Sequence, residues 1–329
     1  MTGPIANRHC PAGVYPEGSL FSKEVVMSLS LPALRVGAPL RHDSLSIFPL
    51  FADAASDVDY RLADEAIAEK SLVVEEINES GSVPELLVEN KGDLRVLFLE
   101  GEELVGAKQN RVLNTSVLVA AHSKLNIPVS CVEQGRWAYK SRSFGASGSH
   151  SPSKLRRALK ASVSKSVLER GEYRSDQRQV WEEVACLHAA HDVTSVSGAM
   201  SDAFESYQDR IAEFRERLKY PDGATGAAVA IGKQVVALDV FDKPVTCRKV
   251  WQRLLSGVVF DALEAGDTQE AATVADVESL LARALDLPWQ PAKAIGEGDE
   301  YRAESPQGDH ASALLFEESV VHGSVVAAE

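Results

Sequence analysis

The spacing of apolar and polar positions changes once along this chain of 329 residues. Between residues 25 and 140 the apolar stretches are short and closely spaced. They read LSIFPLF at 45–51, LVVEEI at 72–77, PELLVE at 84–89, LRVLFL at 94–99, VLNTSVLVA at 112–120 and LNIPVSCV at 125–132. Runs of this length, rich in Val and Ile and divided by Gly, Asn, Asp or Ser, predict β-strands. The spacers are too short for the crossovers that parallel neighbours need, so antiparallel pairing is expected. Asn90-Lys91-Gly92-Asp93 reads as a hairpin turn joining 84–89 to 94–99. Leu62–Glu69 is a short helical interruption.

Beyond residue 153 the period lengthens to that of helices. Leu155, Leu159, Val163 and Val167 recur every four residues, after Ser151-Pro152 and before Gly171, which supplies a helix with a start and a stop. Further helices are predicted from residue 175, over 203–218, from Thr246 and over 271–285. Gly232-Lys233 centres a hairpin, and 301–326 reads as another with its turn near 305–309. The fold class expected is α+β: a β-rich N-terminal half, antiparallel and sandwich- or barrel-like, with a mainly helical C-terminal half that adds a hairpin and terminal strands. Residues 1–24 read as a loose leader and 25–329 as a single domain. That domain divides into a β-rich part (25–140), a flexible loop (141–153) and a helical part with hairpins (154–329). The loop, SRSFGASGSHSPS, holds too little apolar surface to order itself and is expected to act as a mobile flap.

Composition narrows the partners. The apolar share of 45% and charged share of 25% are those of a globular protein. A net charge of −14 disfavours polyanions and anionic membranes, except through a local basic patch. Residues 138–178 form such a patch, with ten Lys and Arg against three acidic residues. Nucleic acid is therefore not expected as a partner except through 138–178. The same segment reads as a solvated basic face, or else as a phosphate cradle at a helix N-terminus. The N-terminal stretch lacks a signal-peptide core, and no run reaches the roughly 18 apolar residues of a spanning helix. A cytoplasmic protein without a membrane partner is expected, with its four widely spaced cysteines reduced. Glycine-rich nucleotide fingerprints, a GxSxG elbow and metal-ligand spacings are absent, so no cofactor and no metal are expected.

Two polar clusters interrupt the strands. The first holds Glu102, Glu103, Lys108, Gln109, Asn110, Arg111 and Asn114, and the second holds Glu133, Gln134, Arg136 and Trp137. Buried without partners they would be costly, so they either line a pocket or knit turns together. In the pocket reading, Arg111 and Arg136 fork onto a carboxylate or phosphate. Lys108, Gln109, Asn110, Asn114 and Gln134 complete the ligand-binding set, Trp137 stacks, and Glu102, Glu103 or Glu133 acts as general acid or base. The expected partner is a phosphorylated small molecule. The alternative is a non-catalytic interaction or regulatory module with a protein partner.

The strings VPELLVENKGD, LEGEELVGAKQNRVLNTS, IPVSCVEQGRW, SDQRQVWEEV and LDVFD carry a resemblance to a bacterial family. It is the ARG and rhodanese-phosphatase-superfamily-associated protein domain, and the likeness runs from about residue 30 to the C-terminus. The family's name records association with ADP-ribosylglycohydrolases and rhodanese-like phosphatases. The resemblance thus implies a role near ADP-ribose, NAD or nucleotide processing, and it brings no catalytic residues with it.

Overall fold

The computed structural model describes residues 32–53, 55–266 and 270–328. Its largest sheet has nine strands drawn from both ends of the chain. One flank runs β1 (Leu34–Val36), β3 (Leu45–Ala52), β13 (Gly226–Ile231) and β14 (Gln234–Phe241), with β2 (Leu40–His42) folded onto β3. The other continues through β18 (Ser319–Val326), β17 (His310–Phe316) and β16 (Asp299–Glu304) to β15 (Gln290–Ala292). A six-stranded sheet follows the order β12 (Phe144–His150), β8 (Glu102–Gly106), β9 (Arg111–Leu113), β11 (Ser123–Cys131), β6 (Glu85–Asn90), β5 (Leu72–Glu76). A three-stranded sheet joins β10 (Val117–Val119), β7 (Arg95–Phe98) and β4 (Tyr60–Leu62).

Side chains alternate across each strand, so the large sheet presents two apolar faces. Phe48, Leu50, Leu238 and Val240 pack on Val277 and Leu280 of helix α7 (Val274–Leu285). Ile47, Val229 and Val321 face the opposite way, toward α2 (Ser153–Arg170) and α6 (Pro244–Ala265), and meet Leu155, Leu159, Val250, Trp251 and Val258. Around this second core lie α3 (Gln177–Ala190), α4 (Met200–Ser206) and α5 (Gln208–Arg217). The two smaller sheets enclose a core of their own, which includes Val74, Val88, Phe98, Leu104, Leu113 and Val129, beside the short α1 (Ala63–Ala68).

The fold is α+β, with twelve of the eighteen strands among the described residues ahead of residue 151. The apolar stripe of α2 is buried, Gly171 closes that helix at φ 69°, and the 226–241 hairpin forms as the pattern predicts. Several local expectations change. Residues 84–89 and 94–99 do not pair with each other: β6 joins β5 and β11, while β7 joins β10 and β4. The turn itself forms, because the Asn90 side chain ties Leu94 O and Ala120 O together and accepts from Gly92 N, but it delivers the chain into another sheet. β4 and β7 are parallel, a pairing not expected, and the segment between them carries α1, β5 and β6. The run 112–120 divides into β9 and β10, and 203–218 divides into α4 and α5. The Ser/Gly stretch read as a loop contributes β12, paired to β8 with a bulge between Ala146 and His150. Residues 301–326 form three strands, not two. The leader expected at 1–24, and the first residues of the β-rich part up to 31, lie outside the described residues. No helix among the described residues is long and apolar enough to cross a membrane.

Candidate functional site

The two polar clusters meet because two turns close side by side. In the β8–β9 turn, Asn110 Oδ1 accepts from Gly106 N at 3.2 Å, and Gly106 adopts φ 122°, a conformation glycine accepts without Cβ strain. In the turn after β11, Arg136 forks onto Glu133 at 2.7 and 2.6 Å, then donates to Ala107 O at 2.6 Å and Ala138 O at 2.8 Å. Glu133 also accepts from Asn110 N at 2.9 Å and Ser197 Oγ at 2.8 Å. Gln109 Nε2 donates to Glu133 O, while its Oε1 accepts from Arg111 and from the Cys131 thiol. Gln109, Asn110, Arg111, Glu133 and Arg136 therefore form one hydrogen-bonded knot.

The three carboxylates nominated for acid–base work occupy different surroundings. Burial alone would raise the Glu133 carboxyl, but Arg136, the Asn110 amide and Ser197 outweigh it and hold the group below the usual range. Glu102 turns away from the knot to Arg253 (2.9 Å) and the Leu99 amide; burial nevertheless leaves its carboxyl raised. Glu103 is fully buried, and neither carboxyl oxygen makes a hydrogen bond of good geometry among the described residues. Burial pushes it up to about 8 against the lowering effect of Ser147, and the charges of Glu133, Asp202 and Glu205 add to the rise. Near neutral pH Glu103 is therefore mostly protonated, with the properties of an acid and not of an anion.

Other nominated residues disperse. Asn114 Nδ2 donates to Tyr173 O and its Oδ1 accepts from Ser130, which ties the end of β9 to the α2–α3 connection. Gln134 is exposed. An open cleft of about 830 Å³ is lined by Glu75, Glu76, Asn78, Glu79, Tyr139, Lys140, Ser141 and Arg142, and the buried Lys108 adjoins it through bonds to Glu76 and Glu79 O. The Lys108 ammonium lies 5.1 Å from the Trp137 ring centroid and 5.1 Å from that of Tyr139. Both rings are about half exposed, at 49% and 52%. Arg111 lies beneath Trp137, its guanidinium carbon 5.9 Å from the ring centroid, and its NH2 reaches Glu76 Oε1 only at 3.8 Å. Of this cleft the sequence reading missed Tyr139 and the glutamates of β5. An aromatic two residues after Trp137, within a basic stretch, was the available signal.

A second polar assembly went unforeseen and lies in the centre of the molecule. Lys160 pairs with Glu100 at 2.6 Å and donates to Ser312 Oγ at 2.6 Å. Arg156 forks onto Asp239 at 2.9 and 2.7 Å and also reaches Ser324. Arg302 joins Glu300, Ser164 and Thr115. Thus two members of the basic patch, Arg156 and Lys160, are core counterions of the large sheet and leave the surface. Ser116, His322 and Asp239 form a chain, with Ser116 Oγ 2.7 Å from Nδ1 and Nε2 3.2 Å from Asp239 Oδ1. Its members are those of a nucleophilic triad. However, Ser116 is buried, its oxygen accepts from Glu100 N, and Asp239 is already forked by Arg156. The chain acts as a structural relay. The N-terminus of α2, read as a phosphate cradle, meets the half-buried Asp261 carboxyl, which accepts from Ser153 N at 3.1 Å.

Compared with known families, residues 33–326 match the ARG and Rhodanese-Phosphatase-superfamily-associated Protein domain. No curated protein and no solved structure shows a significant match.

Proposed function

The chain belongs to the ARG and Rhodanese-Phosphatase-superfamily-associated Protein domain family, and on that premise we propose that its open cleft binds a phosphorylated nucleotide or ADP-ribose-type ligand. One observation carries the reading: the half-exposed Tyr139 lines a roomy polar cleft together with Lys140 and Arg142, and the half-exposed Trp137 ring shares the Lys108 ammonium with it. Each part of such a ligand has a matching group. The rings offer stacking faces to a base. Lys140 and Arg142 supply cations for phosphate. Glu75 and Glu79 are acceptors of the kind that hold ribose hydroxyls. The family's name, which records association with ADP-ribose-related proteins, points in the same direction.

The proposal is one of binding. Glu133 is engaged by Arg136, Asn110 and Ser197, Glu102 by Arg253 and the Leu99 amide, and neither they nor the fully buried Glu103 are among the residues that line the cleft. Exposed aromatics are also common at protein interfaces, and a protein partner is the second reading. A thermal-shift and tryptophan-fluorescence titration with AMP and ADP-ribose tests the first. Ligand at about 100 times Kd adds about 2.7 kcal/mol of stability. That gain should vanish in Trp137→Ala and in the Lys140→Ala/Arg142→Ala double variant. Unchanged transitions across the nucleotide series would remove this reading in favour of the protein partner.

A further inference from the structure

Behind the cleft, Arg111 and Glu76 leave hydrogen-bonding groups unused. Arg111 NH1 is engaged by Gln109 Oε1 and Asn110 O, but Nε and NH2 have no hydrogen-bond partner among the described residues. Glu76 Oε1 accepts from Lys108 N at 3.4 Å, and Oε2 accepts from nothing described. Both side chains are almost wholly shielded from solvent, at 0% and 2% exposure. Unpartnered donors and an unpartnered carboxylate oxygen, so placed in one ion pair, are costly in a folded protein. At 3.8 Å the pair itself is too long to satisfy them.

We infer that the Arg111–Glu76 pair is a preformed reader for the donor–acceptor edge of a nucleobase, in which Arg111 donates to a ring acceptor and Glu76 accepts from the adjacent N–H. This rests on the nucleotide reading of the cleft and specifies which part of the ligand goes inward. Charge selects the ligand group. A phosphate would meet the Glu76 carboxylate, and an ammonium would meet the Arg111 guanidinium. A neutral amide or amidine edge, with acceptor and donor side by side, satisfies both at once. The cover is a side chain: the Trp137 indole lies over Arg111 and is half exposed on its outer face. Rotation of that side chain opens the way inward and leaves its ring as the stacking surface for the entering base. The basic residues Lys140 and Arg142, which also line the cleft, then take the phosphates.

The experiment compares three ligands on the full chain by calorimetric titration: AMP, purine riboside 5′-monophosphate and ribose 5-phosphate. Purine riboside 5′-monophosphate keeps the ring, the sugar and the phosphate and lacks only the exocyclic N–H donor. The expected result is AMP binding about 10-fold or more tighter than purine riboside 5′-monophosphate, as one hydrogen bond to a charged group implies. Glu76→Gln, whose melting temperature is checked in parallel, should remove most of that ratio and leave ribose 5-phosphate binding unchanged. Equal affinities for AMP and purine riboside 5′-monophosphate in the unmodified protein would overturn edge reading and leave the nucleotide cleft standing. Absence of binding by all three would overturn both.

Discussion

Lys160 and Glu100 meet at 2.6 Å in the interior, with neither side chain in appreciable contact with solvent. The lysine comes from α2 and the glutamate from the end of β7, so this one contact fastens the N-terminal sheets to the helix that covers the large sheet. Burial works to raise the Glu100 carboxyl, yet Lys160, Arg302 and Arg156 together hold it down at about 2. Removing one member strands a charge. Lys160→Met should therefore lower unfolding free energy by about 3–5 kcal/mol, whereas Lys160→Met with Glu100→Leu should recover much of the loss. Urea unfolding of the two variants checks this, and equal instability of single and double variants would contradict it.

The same pair gives acid sensitivity of known sign. Glu100 has a folded pKa below its unfolded value of 4.5, so its stabilisation is complete above pH 4.5 and is lost as pH falls toward 2. His150 acts in the same direction. Burial, with Arg156 and Arg253 nearby, lowers it from 6.5 to about 3, so the unfolded state takes up its proton first as pH falls through 6.5. Between pH 6.5 and 4.5 the His150 loss is offset by the opposite-signed Glu103, so melting temperature should fall steeply only below pH 4.5, where His150 and Glu100 act together, and His150→Gln should make that fall shallower.

Glu103 has the opposite sign. Its carboxyl is raised from 4.5 to about 8, so its favourable protonated state is secure below pH 4.5 and stability declines as pH rises through 8. Glu103→Gln keeps the shape and removes the charge. The variant's advantage over the unmodified protein should grow by about 1 kcal/mol per pH unit between pH 5 and 8, then level off. A constant difference across that range would mean that Glu103 is ionised in the folded state.

Gly81 sits against the cleft's aromatic wall. Its φ of 78° suits glycine, and a Cβ there would come within 3.1 Å of the Trp137 ring and 3.3 Å of Lys108 Cδ. Gly81→Ala should cost about 1–3 kcal/mol through backbone strain and displace the indole. The displacement should appear as a shift in tryptophan emission, and ligand affinity should change with it. Unaltered emission would show that Trp137 does not lie on Gly81 in solution.

Arg136 holds two turns together through six acceptors, including Glu133, Ala107 O and Ala138 O. Arg136→Lys replaces a fork with a single point of charge and should destabilise by about 2–3 kcal/mol. Amide exchange at Asn110, whose N–H is donated to Glu133, should accelerate in that variant. Retained protection at Asn110 would move Arg136 from the scaffold to the ligand.

The sequence determined what local chemistry controls. The four-residue apolar spacing of Leu155 to Val167 makes α2, Gly232-Lys233 turns the β13–β14 hairpin, and the polar runs 108–110 and 133–137 lie in the turns after β8 and β11, although Glu102, Glu103 and Arg111 belong to the strands themselves. Each depends on residues a few positions apart, where backbone preference and side-chain period act directly. Tertiary structure decided everything that depends on distant partners. Asn90 and Gly92 make a turn in either case, but whether β6 pairs with β7 or with β5 and β11 is set by which apolar faces find each other, and the string does not contain that choice. Arg156 and Lys160 read as the edge of a basic surface because solvated and paired cations are written identically. Their burial required Asp239 and Glu100, 83 and 60 positions away, to arrive on the opposing elements. Likewise Arg111, Glu76 and Trp137 were separate polar marks on the chain, and only the packing of β5 beside the two turns brought them to one cleft.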